Sequence, residues 1–323
     1  MFKKSICYSL LACLTLFALI SGVSAAEKYP SREVQVVIPN PPGGFVDISV
    51  RLMSANLAKN LGVPVVISNR PGAGGASGTA YLVKAKPDGY TLGAVSSADV
   101  VLIPAILPSV PYKHTDMDPL CKFAESPAAV FCKADAPWKT LEDLVADAKK
   151  RPGQITYGAT TQSISYFQIE GFMAAAGIRM MHVPLQAAGQ TITRILGGNL
   201  DIGIASMAPL LGQFRAGTLR PLLLMAPQRT AAYPQIPTLK EKGYQNPIID
   251  LYGGFLLPLG TPKPVKDVLA KALEKSLKEP SFKSKLEEVS LDFAYLPAEG
   301  YAREIEEDYK RVINFVKTAG TKK

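Results

Sequence analysis

Val34-Gln35-Val36-Val37-Ile38 runs straight into Pro39-Asn40-Pro41-Pro42-Gly43-Gly44-Phe45-Val46-Asp47, after which the chain takes up a helical spacing. The first five residues read as a strand, and Ile48, Leu52, Leu57 and Leu61 mark one apolar helix face that Gly62 ends. Between them, prolines and two glycines sharpen a strand-to-helix turn. Backbone N–H groups at the helix start can then face a ligand, helped by the positive end of the helix dipole. The loop reads as a seat for an anionic group.

Outward from this loop, strand and helix signals alternate. Val63–Ile67 gives a second strand, Gly72–Gly78 a glycine-rich loop, Tyr81–Lys86 a helix turned by Pro87-Asp88-Gly89, and Thr91–Val95 a third strand. A β-α-β-α-β order argues a parallel, helix-covered sheet with ligand loops at the carboxyl ends of its strands. A second series starts near Ala129. Strands Ala129–Cys132, Ile155–Tyr157, Met180–Val183 and Asp201–Ala205 alternate with helices Leu141–Lys149, Gln168–Ala176 and Thr191–Leu196, and the loop Gly158–Ser165 follows the second of these strands. Leu219–Met225 and Leu251–Leu257 are further strand candidates. The tail, Pro264–Leu291 and Ala298–Val316, has helical spacing and is expected to pack back on the first domain. No low-complexity linker or repeat intervenes, so two α/β domains joined by crossing strands are expected.

Residues 1–26 read as a secretory signal peptide: Lys3 and Lys4, an apolar stretch from Ile6 to Ile20, then Ser24-Ala25-Ala26 at an A-x-A-like cleavage site. The stretch is shorter than the about 18–20 residues that span a bilayer, which argues against a retained anchor. Leu10-Leu11-Ala12-Cys13 loosely resembles a lipoprotein box, but the apolar run continues past Cys13. The formal net charge of +9 is scattered, without a basic block or aromatic interleaving, so no nucleic-acid partner is expected. His114 and His182 are the only two histidines and no compact Cys/His spacing exists, so no metal site is expected. Beyond the leader the only cysteines are Cys121 and Cys132. If Leu120–Ala124 and Ala129–Lys133 pair around Ser126-Pro127, the two fall opposite one another and a disulfide is geometrically possible. The alternative is two small buried thiols on neighbouring strands.

Catalytic signatures are weak. Gly75-Ala76-Ser77-Gly78-Thr79 breaks the nucleophile-elbow pattern at its last position, and neither histidine sits in a triad. The Gly72 loop is one residue short of a dinucleotide fingerprint, and Asp88 lies in a turn rather than at a second strand end. That loop is better read as shaping a cleft wall or a tight turn. Thr160, Thr161, Gln162 and Ser163 offer neutral donors to a carboxylate, or form an ordinary helix-cap cluster. Asp47 is read as a helix N-cap, with water-bridged ligand contact second. Phe45 is read as an apolar wall of the cleft, with a hydrophobic staple as the plainer role. Tyr252 supplies an aromatic floor or packs in a core. Arg194 and Arg215 read as surface residues, and His182 as a structural residue at a strand end.

Several stretches, in order, resemble the exported receptors of tripartite tricarboxylate transporters, the Bug-type solute-binding family. They are Tyr29-Pro30-Ser31-Arg32, the Pro-Pro-Gly-Gly…Asp47 loop, Asn69-Arg70-Pro71-Gly72-Ala73-Gly74-Gly75, Lys86-Pro87-Asp88-Gly89-Tyr90, His182-Val183-Pro184, Leu196-Gly197-Gly198, Arg215-Ala216-Gly217 and Pro258-Leu259-Gly260-Thr261-Pro262. The resemblance implies an α/β, type II periplasmic-binding-protein fold whose two lobes close on a small organic acid, a di-, tri- or aromatic carboxylate. It also implies a periplasmic monomer that delivers its ligand to membrane permease subunits and carries no cofactor. Carried over by position, the ligand residues are Asn40, Gly43, Gly44, Phe45 and Asp47, then Ser96 and Ser97, then Thr160, Thr161, Gln162 and Ser163, with Ser206 and Tyr252 added. Asn40 replaces the family's common aromatic residue, Thr160-Thr161-Gln162 replaces a Gly-Asn-Gly tip, and Ala205-Ser206 replaces a frequent Asp-Asn pair, so no single relative's ligand transfers. The expected division is 1–26 signal peptide, 27–126 first lobe, 127–250 second lobe and 251–323 return to the first. Two other readings stay open: a ligand-binding partner of a sensor kinase, and a secreted α/β hydrolase using Ser97 or Ser163.

Overall fold

A computed structural model describes residues 29–320 apart from 108, 162, 186, 227, 231–232, 245–248 and 290. The expected signal peptide and Gln162 lie outside the described residues. No helix among the described residues is long and apolar enough to cross a membrane.

The chain builds two sheets. In the first, β1 (Val34–Ile38) runs parallel to both β2 (Val65–Asn69) and β3 (Thr91–Ser96). Next come β10 (Tyr252–Pro258), β4 (Met117–Glu125) and β11 (Asp292–Pro297), all paired antiparallel, in the order β11-β4-β10-β3-β1-β2. The second sheet has the order β7-β6-β8-β5-β9, formed by β5 (Ala128–Lys133), β6 (Thr156–Thr160), β7 (Met181–Leu185), β8 (Ile202–Ser206) and β9 (Leu219–Met225).

Residues on successive positions of β1 are buried because helices cover both faces, as expected of a parallel sheet. On one face α1 (Phe45–Leu61) sets Met53 and Leu57 against Val36, Ile38 and Phe255. Farther along the chain come α2 (Ala76–Val83), α3 (Ile103–Ile106), α4 (Leu141–Lys150), α5 (Ile164–Ala176), α6 (Ala188–Leu196) and α7 (Leu211–Arg215). The tail does return to the first sheet, but as three helices and a strand. Pro280 opens α9 (Pro280–Glu288) just after α8 (Lys263–Leu277), because proline fits a first helical turn and not a helix interior. Strand β11, which sequence periodicity does not reveal, then leads into α10 (Ala298–Gly320). Tyr301 and Ile305 of α10 pack with Val95, Val100, Tyr252 and Leu256 on the sheet's other face.

The sheets are joined at two crossings placed side by side: the Ser126 N–H donates to the Leu251 carbonyl at 2.8 Å. This corrects the expected hairpin around Ser126-Pro127. Strand β4 pairs with β10 and β11, whereas β5 pairs with β8 and β9, so the strands carrying Cys121 and Cys132 belong to different sheets. Both thiols are free and buried in separate cores, and no disulfide joins them.

Candidate functional site

The loop after β1 is fixed by Asp47, though not as the N-cap. Gly44 holds that position, and Asp47 is the third residue of α1. Its buried carboxylate reaches back: Oδ2 accepts the Gly43 N–H at 2.9 Å and Arg51 Nε at 2.9 Å, and Oδ1 accepts Asn69 Nδ2 at 3.0 Å. Arg51 Nη2 closes the ion pair at 2.9 Å. Burial alone would raise the Asp47 pKa; the Arg51, Gly43 and Asn69 donors outweigh it and hold the carboxyl below its ordinary range. With these donors it has little capacity left for a ligand. Gly43 and Gly44 remain exposed, and Gly43 adopts φ +84°, a left-handed conformation that suits glycine.

A second carboxylate gathers the other loops of this sheet. Asp99 is fully buried, in a wide helical turn (Ala98–Leu102) in which the Ile103 N–H bonds to the Ala98 carbonyl. Its Oδ2 accepts Ser96 N at 2.8 Å and Ser96 Oγ at 2.6 Å, and its Oδ1 accepts Asn40 Nδ2 at 3.2 Å. The Cα of Gly75 lies against the same carboxylate: a Cβ there would sit 1.9 Å from Oδ1. Burial pushes the Asp99 pKa up, and the Ser96 and Asn40 bonds pull it partly back. The loops after β1, β2 and β3 thus meet on one buried group.

Several expected ligand residues are turned into the protein. Ser97 is fully buried; its Oγ donates to the Asp250 carbonyl at 2.8 Å and accepts the Tyr252 N–H at 3.2 Å, joining the end of β3 to a crossing segment. Tyr252 is also fully buried, edge-on to Tyr301 at 6.0 Å with Lys122 Nζ 4.7 Å from its ring centre, so it is core rather than a cleft floor. Ser96 is spent on Asp99. Phe45 leans on the sheet: a Cβ on Gly253 would lie 3.1 Å from its ring, which matches the packing role rather than a free wall. Ser206 ends β8 opposite Ala128, half-buried. His182 stacks on Tyr157 at 5.0 Å, and Arg194 and Arg215 are exposed.

Between the two sheets lies a cavity of about 550 Å³. The end of β6 and the start of α5 supply Thr160, Thr161 and Ser163; the first sheet's side supplies Gly74, Ala98 and Leu102. Ser163 caps α5, its Oγ accepting the Tyr166 N–H at 3.2 Å, so the start of this helix opens on the cavity. No charged side chain lines it among the described residues. The apolar wall from Ala98 to Leu107 has no counterpart among the expected site residues. Val100-Val101-Leu102-Ile103 reads as plain core, and its one signal is its place directly after a strand end, where α/β ligand sites form.

Beside the crossings, Lys122 is buried and paired with Glu125 at 2.5 Å and Glu304 at 2.6 Å. Burial, with Glu125 and Asp308 nearby, pushes the Asp250 pKa up to about 7. Burial likewise raises Asp308 to about 6, against the opposing pull of Arg311.

The profile of the tripartite tricarboxylate transporter family receptor matches residues 49–321. Protein BugT of Bordetella pertussis is 31% identical over 274 residues, 83% of this chain and 84% of that protein. A TctC solute binding protein from Polaromonas superposes with a TM-score of 0.79 at 27% identity, covering 90% of this chain and 99% of that one. Rpa4515 of R. palustris, solved with adipate, gives a TM-score of 0.78 at 25% identity, covering 90% and 98%. Family profile, sequence and fold agree, and the chain belongs to the tripartite tricarboxylate transporter receptor family.

Proposed function

We propose that this chain is a periplasmic receptor that captures a small organic carboxylate between its two lobes and hands it to the permease subunits of a tripartite tricarboxylate-type transporter. The cavity shared by Thr160, Thr161 and Ser163 on one side and Gly74 and Ala98 on the other carries this reading. Hydroxyls and the start of α5 can hold a carboxylate without a formal countercharge, as backbone donors at helix starts commonly do. The adipate bound by Rpa4515 and the family membership support a carboxylate ligand. In this reading residues 27–126 and 251–323 form one lobe and 127–250 the other, and the lobes hinge at the paired crossings around Ser126 and Leu251. Asp47 accepts the Gly43 N–H and so holds this exposed loop in shape, which leaves Gly44 and the start of α1 to meet the ligand. Asn40 and Ser96 act through Asp99, and Ser97 and Tyr252 act by fixing the crossing.

Native mass spectrometry of the protein purified under gentle conditions tests this directly. A bound organic acid, displaced on dialysis and restored on titration with the same acid, is the expected result. A protein that shows no saturable binding to any carboxylate in calorimetry contradicts it.

A further inference from the structure

We infer that the ligand is a monocarboxylate with an apolar body, aromatic or branched aliphatic, rather than a di- or tricarboxylate; this rests on the receptor reading above. The cavity lining is of two chemical kinds. Thr160, Thr161, Ser163 and Ser165 bring hydroxyl side chains beside the start of α5. Leu102, Ile103, Ile106, Leu107, Ile164 and Leu251 supply large aliphatic ones, with Ala73, Gly74 and Ala98 as the small residues between.

A single carboxylate suits the hydroxyl-bearing residues at the start of α5. A second ionised carboxylate would be carried against the aliphatic wall, where no cation among the described lining residues can pair with it. Taking an ion out of water without a partner opposes binding, whereas burying a ring or branched chain against these side chains favours it. Leu107 adds a further indication. At 37% it is one of the few large apolar side chains left exposed, and it stands on the cavity's rim where an apolar ligand would cover it. The volume, about 550 Å³, lies within the range of small-molecule pockets.

Calorimetric titration of the dialysed protein with benzoate, cyclohexanecarboxylate, adipate and citrate separates the alternatives. The two monocarboxylates are expected to bind saturably and about 100-fold more tightly than adipate, with citrate weaker still. Adipate or citrate binding more tightly than both monocarboxylates would overturn this inference and leave the receptor reading intact. No binding by any of the four, together with no acid found by native mass spectrometry, would overturn both. The Leu107→Lys variant gives an independent arm, because its rim position tolerates a long polar side chain. It is expected to narrow the preference for monocarboxylate over adipate by at least about tenfold. An unchanged ratio in a variant that melts like the parent would overturn the inference.

Discussion

Gly75 and Asp99 fit together only because position 75 has no side chain: a Cβ there would lie 1.9 Å from the Asp99 Oδ1. The contact places the Gly72 loop against the same carboxylate that holds Asn40 and Ser96, so three strand-end loops share one support. Gly75 also adopts φ +112°, where an L side chain is strained. Gly75→Ala is therefore expected to destabilise the fold by about 2–4 kcal/mol, measured by urea unfolding. A change under about 0.5 kcal/mol would show that the loops do not depend on this contact.

Asp47 is the corresponding support for the first loop. Asp47→Ala leaves the Gly43 N–H and the Asn69 amide without their acceptor and Arg51 without its ion pair. A loss of about 1–3 kcal/mol in unfolding free energy is expected, with weaker ligand binding as the loop loosens. If Asp47 instead repelled the ligand's charge, the same variant would bind more tightly.

Stability should change with pH in a specific direction. Asp250 and Asp308 have folded pKa values of about 7 and about 6, above the ordinary carboxylate value of 3.8. The folded state then holds protons that the unfolded chain has released. Their contribution is complete at low pH and lost as pH rises from about 4 through 7, by up to about 1.4 kcal/mol per pH unit for each group. The melting temperature is expected to rise on going from pH 8 to pH 6, and this slope should shrink in Asp250→Asn. An identical slope in parent and variant would assign the titration elsewhere.

Cys121 and Cys132 give a simple test of the sheet assignment. With the strands in different sheets, a reducing agent should leave the melting temperature unchanged, and both thiols should alkylate in denaturant without prior reduction. A native bridge would instead reveal itself as a loss of about 2–5 kcal/mol on reduction.

Elements with strong local signals were legible in the sequence. Val34–Ile38 and Leu219–Met225 are strands with the bounds that their apolar runs suggest, and the α/β alternation gives the architecture. Strand β11 was not legible, because Asp292–Pro297 is half-buried at a sheet edge and its short apolar run, Phe293-Ala294-Tyr295-Leu296, lies between two long helical patterns. The β4–β5 hairpin was misread because Ser126-Pro127 looks like a turn, whereas it crosses between sheets; local turn chemistry does not say which partner a strand takes. At the candidate site, Thr160, Thr161 and Ser163, expected from their position at a strand end, line the cavity. Ser97 and Tyr252 are turned inward by burial, which sequence alone cannot report for a Ser or Tyr at a strand end. The wall from Leu102 to Leu107 went unseen because aliphatic residues lining a cavity and aliphatic residues filling a core spell the same pattern.

A carboxylate held between Thr160, Thr161 and Ser163 on one side and Gly74 and Ala98 on the other would be displaced by a large side chain placed there. Thr161 is exposed at the cavity's edge, so Thr161→Trp should fold and melt like the parent. Calorimetric titration of both proteins with the tightest-binding acid is expected to show affinity reduced by at least about 30-fold in the variant. Equal affinity, with an unchanged melting temperature, would place the ligand somewhere else.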